Sequence, residues 1–263
     1  MFYLLTFLYS WSFWGIAIIL GQEWNEFPTL IFYALGGIGP SLMGILLVYL
    51  NKEKEGQQEF WNRIYNPKRI SGVWYLIILF FWFIPLLISI GLDLILGGAG
   101  AAPGYLAEYF IKPLLLAPSI TFLIVGVLAE ELGWRGYSLE QLQENLSALK
   151  SSFIIGIFWA LWHIPLYFIK GTFQYNNNFG SLLFWLYTLH IIPEAFLYTC
   201  IYNNTNRSTL SALLFHFMGN FIGELFDFSV RVQIFRLLIT TTIVIVISLK
   251  WGKNNYKMYS SGV

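Results

Sequence analysis

Long apolar runs separated by short polar segments dominate the sequence. About 20 apolar residues in a helix are enough to cross the hydrocarbon core of a bilayer. By this rule the pattern predicts an all-α fold, a polytopic membrane helix bundle of about eight transmembrane helices in one integral membrane domain, 1–263. The predicted spans are 2–20, 28–50, 73–97, 113–135, 151–169, 181–202, 208–223 and 232–250.

Composition and charge support a membrane protein and predict its orientation. The chain is 57% hydrophobic and 11% charged, whereas soluble domains are about 45–50% apolar and 25% charged. In the predicted topology, 11 of the 15 lysines and arginines fall on one side of the membrane, so we expect both termini in the cytoplasm and the protein in the cell membrane. The first run lacks a basic segment before it, which indicates a retained span and not a signal peptide. The net charge of +1 gives no reason to expect a nucleic acid partner.

Two connections between the predicted spans differ in composition, and 51–72 is the only substantial polar one. The segment 51–72 mixes aromatic and basic residues, which is typical of an amphipathic segment at the membrane surface. A solvated linker is the alternative. The segment 97–112 is rich in glycine, and we expect a flexible external loop there.

A pair of adjacent carboxylates ends the fourth predicted span. Glu130 and Glu131 follow the apolar run 113–129, although a single charged residue near the bilayer centre costs about 2.5–3.5 kcal/mol on insertion scales. Arg135 lies one helical turn after Glu131 and can pair with it. Glu130 is then left without a local partner, which makes it the first candidate for chemistry.

Further polar residues inside the spans lie at a depth similar to that of Glu130. His163 is in the fifth predicted span, and His216 and Asn220 share one face of the seventh. Counted from the cytoplasmic ends of their helices at 1.5 Å per residue, the three ionisable groups lie about 9 to 16 Å deep, so they can converge. A carboxylate and an imidazole can activate water, and a second imidazole and an amide can stabilise an oxyanion. Two histidines and one glutamate can instead hold zinc.

A second polar pair lies in the sixth predicted span. His190 and Glu194 are four residues apart and therefore on one face of the helix. They can form a structural pair that satisfies itself, or they can line a cavity. The pattern leaves both interpretations open.

Three motifs lie in three separate predicted spans: Glu130-Glu131-x-x-x-Arg135, Trp159-x-x-x-His163 and His216-x-x-x-Asn220. Their residues and their order resemble the CPBP intramembrane proteases. That family includes the type II CAAX prenyl endopeptidases and the bacteriocin-processing or immunity proteins. Trp159 stands where the family more usually has Phe, and its expected role is packing beside the histidine.

The resemblance implies an intramembrane endopeptidase with a catalytic core at about 113–223 and a cavity open to the cytoplasm and the adjacent lipid. It implies that Glu130 and His163 activate water while His216 and Asn220 stabilise the oxyanion. Supporting roles are expected for the four residues Glu131, Arg135, Trp159 and Glu194.

The resemblance also bears on cofactors and partners. We expect no metal, because Asn is a poor zinc ligand. If zinc is present, its expected ligands are Glu130, His163 and His216. The expected partners are the lipid bilayer and a membrane-bound peptide or prenylated protein substrate. Two other readings remain: a transporter in which the same three groups relay protons, and a family member without catalysis that acts as a scaffold or immunity protein.

Overall fold

Helices form most of the part of the chain that the computed structural model describes, which is residues 1–104, 112, 114 and 116–251. Two short strands, β1 Ala101–Pro103 and β2 Phe226–Phe228, pair antiparallel. In chain order the α-helices are α1 Phe2–Leu20, α2 Thr29–Gly37, α3 Gly39–Asn51, α4 Lys54–Tyr65, α5 Gly72–Phe80, α6 Phe83–Ile95, α7 Leu116–Gly133, α8 Leu139–Gln143, α9 Ala148–Trp162, α10 Phe173–Asn176, α11 Leu182–Asn204, α12 Thr209–Leu225 and α13 Val230–Trp251.

The helices confirm a polytopic, all-α membrane bundle. In the described residues, six helical stretches are long and apolar enough to cross a membrane, or up to seven if α2 and α3, which meet at 46°, form one span. α12 corresponds to the predicted span 208–223, but its 17 residues put it at the lower limit of a spanning helix. The number of eight spans therefore stays a prediction.

The sequence predicted that the helix with the two glutamates ends at residue 135, but the helical chain continues beyond this residue. After α7 the chain makes a π-helical turn, Trp134–Ser138, and continues into α8. Before the turn, α7 touches α3 backbone to backbone, because a Cβ atom on Gly133 would lie 2.1 Å from the carbonyl oxygen of Pro40. This glycine contact fixes the rotation of α7, and with it the directions of Glu130 and Glu131.

The polar connection 51–72 contains the amphipathic helix α4, so the interpretation as a solvated linker was wrong. α4 buries Phe60 and Arg63 against the protein. The guanidinium of Arg63 pairs with Glu140 of α8 at 2.6 Å, and Glu140 also pairs with Arg207 at 2.6 Å. The hydroxyl of Tyr202 donates to the same carboxylate at 2.7 Å. These contacts attach α4 to the end of the bundle next to the π-helical turn.

The glycine-rich connection 97–112 has defined structure in its described residues 97–104. Strand β1 pairs with β2, and the backbone N–H of Gly100 donates to the buried carboxylate of Asp93 at 2.8 Å. Arg231 of α13 pairs with the same carboxylate. The expected flexible loop is therefore wrong for residues 97–104, while 105–111 lie outside the described residues.

Candidate active site

The carboxylate of Glu131 forms the centre of a buried ionic network. Its Oε1 atom accepts hydrogen bonds from Nη1 of Arg135 at 2.8 Å and from Nδ1 of His216 at 2.8 Å. The side chains of Glu131 and Arg135 have no exposed surface, and His216 is almost fully buried. The predicted pair of Glu131 and Arg135 is thus present, and His216 joins it from α12.

Aromatic rings enclose the guanidinium of Arg135. Its Cζ atom lies 4.3 Å from the ring centroid of Trp159 and 4.2 Å from that of Tyr198. Two of its nitrogens, Nε and Nη2, have no hydrogen-bond partner in the described part of the chain. The negative faces of the two rings stabilise this buried cation. The sequence interpretation missed Tyr198, although it lies one turn after Glu194 on the same face of α11.

Glu130 takes a different partner from its neighbour. It is half-buried, and its Oε2 atom accepts a hydrogen bond from the indole Nε1 of Trp159 at 2.6 Å. Successive residues of an α-helix point about 100° apart, because a turn contains about 3.6 residues. Glu130 therefore accepts a hydrogen bond from α9, whereas Glu131 accepts one from α12. Trp159 lies beside His163, as expected, and in addition it donates this hydrogen bond.

Hydrogen bonds determine which nitrogen of each imidazole carries a proton. Nδ1 of His163 lies 2.8 Å from the backbone carbonyl oxygen of Trp159, which can only accept, so this nitrogen bears the hydrogen. The carboxylate of Glu131 holds His216 in the same way. In their neutral forms both rings then present an unprotonated Nε2. Both imidazoles can take up a proton at that atom.

The three candidate groups surround Trp159. Its ring centroid lies 6.1 Å from that of His163 and 5.5 Å from that of His216. The carboxylate of Glu130 is within electrostatic range of both imidazoles, and the imidazoles are within range of each other. Residues from α7, α9 and α12 thus meet at one place in the bundle.

Asn220 stands apart from this buried network. It lies one helical turn beyond His216 on α12, and its side chain is exposed. Its side chain forms no hydrogen bond with the residues that the structure describes. Its amide N–H groups are therefore free to donate to a bound molecule.

The second polar pair belongs to a cluster between α11 and α13. Oε1 of Glu194 lies 3.8 Å from Nδ1 of His190, which is too far for a hydrogen bond. Nε2 of His190 instead lies 3.1 Å from the hydroxyl of Thr240. The carboxylate of Glu194 is within electrostatic range of Arg236 and of His216. The pair does not satisfy itself, and Glu194 lies beside the site.

Among the described residues, no three side chains of His, Cys, Asp or Glu are arranged so that they could hold one metal ion. The ligand set expected if zinc is present does not form such a group in this structure; it consists of Glu130, His163 and His216.

Comparisons with known proteins agree with the three motifs. Residues 112–222 match the family model described as type II CAAX prenyl endopeptidase Rce1-like, and this segment contains all three motifs. The chain is also 28% identical to CAAX prenyl protease 2 of Methanococcus maripaludis over 228 residues, which cover 86% of this chain and 83% of that protein. Both findings confirm the resemblance.

Proposed function

Given the similarity to the type II CAAX prenyl endopeptidases, we propose that this multi-pass membrane protein is an intramembrane endopeptidase. Its proposed substrate is a membrane-associated protein of the prenylated CAAX type. The observation that carries the proposal is the meeting of Glu130, His163 and His216 around the ring of Trp159.

Water activation is assigned to Glu130 and His163. Oε2 of Glu130 is bound by the indole N–H of Trp159, so Oε1 is the oxygen that acts as the base. Oε1 takes a proton from water as the water oxygen attacks the scissile carbonyl carbon. Nε2 of His163 accepts a hydrogen bond from the same water and orients it. The products of this step are a tetrahedral intermediate and a protonated Glu130.

Oxyanion stabilisation is assigned to His216 and Asn220. Because Nδ1 of His216 donates to Glu131, its Nε2 donates only when the ring is an imidazolium. The hydrogen-bonded carboxylate stabilises that cation, as the buried aspartate does in a Ser-His-Asp triad. The amide of Asn220 provides the second donor. When the intermediate collapses, the C–N bond breaks and Glu130 returns its proton to the leaving nitrogen.

A cleavage assay tests this proposal. Purified protein in lipid nanodiscs is given three peptides: a farnesylated CAAX peptide, its unprenylated form, and a bacteriocin-type leader peptide. We expect cleavage of the farnesylated peptide, and cleavage that survives a chelator in protein of measured metal content. Cleavage of the leader peptide alone would overturn the substrate class. No cleavage of any peptide, together with proton flux in liposomes, would favour the proton-relay reading.

Loss of activity with a chelator, restored by stoichiometric zinc, would overturn the assignment of water activation to protein groups alone. In that case His163→Ala and His216→Ala would also lose bound metal. Glu130, His163 and His216 would then be reassigned as ligands.

A further inference from the structure

Trp159 contacts three parts of the candidate site at once. Its indole N–H donates to Glu130, its backbone carbonyl accepts from Nδ1 of His163, and its ring faces the guanidinium of Arg135. A Phe at this position would keep a ring and a carbonyl but would lack the N–H donor. The side-chain hydrogen bond is therefore the feature that Trp adds.

The bond to Glu130 is short and has no substitute nearby. The distance from Nε1 to Oε2 is 2.6 Å, and hydrogen bonds to ionised groups are shorter and about twice as strong as neutral ones. In the described part of the chain no other group donates a hydrogen bond to the Glu130 carboxylate. Without the indole donor, the side chain of Glu130 would be free to rotate between staggered conformers.

We propose that Trp159 is a positioning residue for the reaction. Its indole N–H holds Oε2 of Glu130, so that Oε1 is the oxygen that receives the proton of water. Its backbone carbonyl holds His163 with Nε2 unprotonated. One residue thus aligns both members of the water-activating pair, an inference that depends on the proposed function.

The chain offers a matched control in Trp162. This residue lies on the same helix, has only 2% of its surface exposed, and packs against His163 with ring centroids 5.0 Å apart. In the described part of the chain its indole nitrogen donates to no partner. Trp162→Phe therefore removes similar ring area without removing a hydrogen bond to the site.

The experiment compares kcat and KM of Trp159→Phe and Trp162→Phe, with folding checked by thermal unfolding in detergent. We expect Trp159→Phe to lower kcat about 10- to 100-fold, the equivalent of one hydrogen bond to a charged group, with KM nearly unchanged. A second variant has 3-benzothienylalanine at position 159, which keeps the bicyclic ring and replaces the N–H by sulfur. We expect the same loss in this variant. Because it keeps the bicyclic ring, the loss could not be caused by the smaller ring of Phe.

A double-mutant cycle separates positioning from packing. If Trp159 acts through Glu130, Trp159→Phe changes the residual rate of Glu130→Gln by much less than it changes the wild-type rate. An equal loss in both backgrounds, or equal kinetics for Trp159→Phe and Trp162→Phe, would overturn the proposal.

The two proposals fail in different ways. Wild-type activity in Glu130→Gln would show that Glu130 is not the base, whatever the role of Trp159. A strong loss in Glu130→Gln with full activity in both variants at position 159 would overturn only the positioning role.

Discussion

The carboxylate of Glu131 lies 2.8 Å from Nδ1 of His216, although the two residues are 85 positions apart in the chain. The same oxygen accepts from Arg135, so the second glutamate of the pair connects a buried cation to an imidazole of the site. Glu131 is thus both the partner of Arg135 and the group that orients His216.

Arg135→Ala should destabilise the protein more than it affects catalysis per folded molecule. The substitution leaves Glu131 as a buried carboxylate with only His216 beside it, and breaking a buried ion pair costs about 3–5 kcal/mol. Thermal unfolding in detergent measures this loss, and the activity of the folded fraction is measured alongside. The control is Lys52→Ala, because the side chains of Lys52 and Glu144 are 37% and 50% exposed, whereas those of Arg135 and Glu131 have no exposed surface. Normal thermal stability combined with complete loss of activity would show that Arg135 acts directly in the reaction.

Asn220→Ala should lower kcat about 10²- to 10³-fold with little change in KM, because it removes one donor to the oxyanion. Stability should be unchanged, since the side chain is exposed and has no hydrogen bond to lose within the described structure. Steady-state kinetics on the farnesylated peptide provide the measurement. Asn204→Ala, at the exposed end of α11, is the control. A raised KM with normal kcat would make Asn220 a substrate-binding residue.

The predicted orientation can be tested by cysteine labelling. In a chain with its single cysteine replaced by Cys200→Ala, Lys54→Cys on α4 should react with a membrane-impermeant maleimide only after cells are permeabilised. Lys170→Cys, in a connection predicted to be external, should react in intact cells. Both positions are exposed in the structure. Reaction of Lys54→Cys in intact cells would overturn the topology.

The sequence predicts the parts of this fold that depend on neighbours along one helix. Apolar runs predict most of the helices, and the i,i+4 spacing predicts the pair of Glu131 with Arg135. The predicted end of the fourth helix at residue 135 was wrong, and the same pair of residues is involved. The polar pattern suggested a stop at Arg135, but Arg135 is buried against Glu131 and lies within a π-helical turn, Trp134–Ser138, that leads into α8.

Contacts between helices could not be predicted in the same way. The hydrogen bonds that His216 donates to Glu131 and Trp159 donates to Glu130 depend on how α7 is rotated against α9 and α12. That rotation follows from backbone contacts such as Gly133 on Pro40, which no periodicity in a single helix reveals. Tyr198 is the exception, because its spacing from Glu194 marks a shared face of α11.

The most direct test of the account is the kcat of Glu130→Gln on the farnesylated peptide, compared with wild type and with the surface control Glu144→Gln. The amide oxygen of Gln can still accept the indole N–H of Trp159, so the side chain keeps its position and loses only its basicity. The proposed role of Glu130 as the base predicts a loss of about 10²- to 10⁴-fold in kcat, with normal thermal stability and normal activity in Glu144→Gln. Wild-type turnover by Glu130→Gln would contradict it.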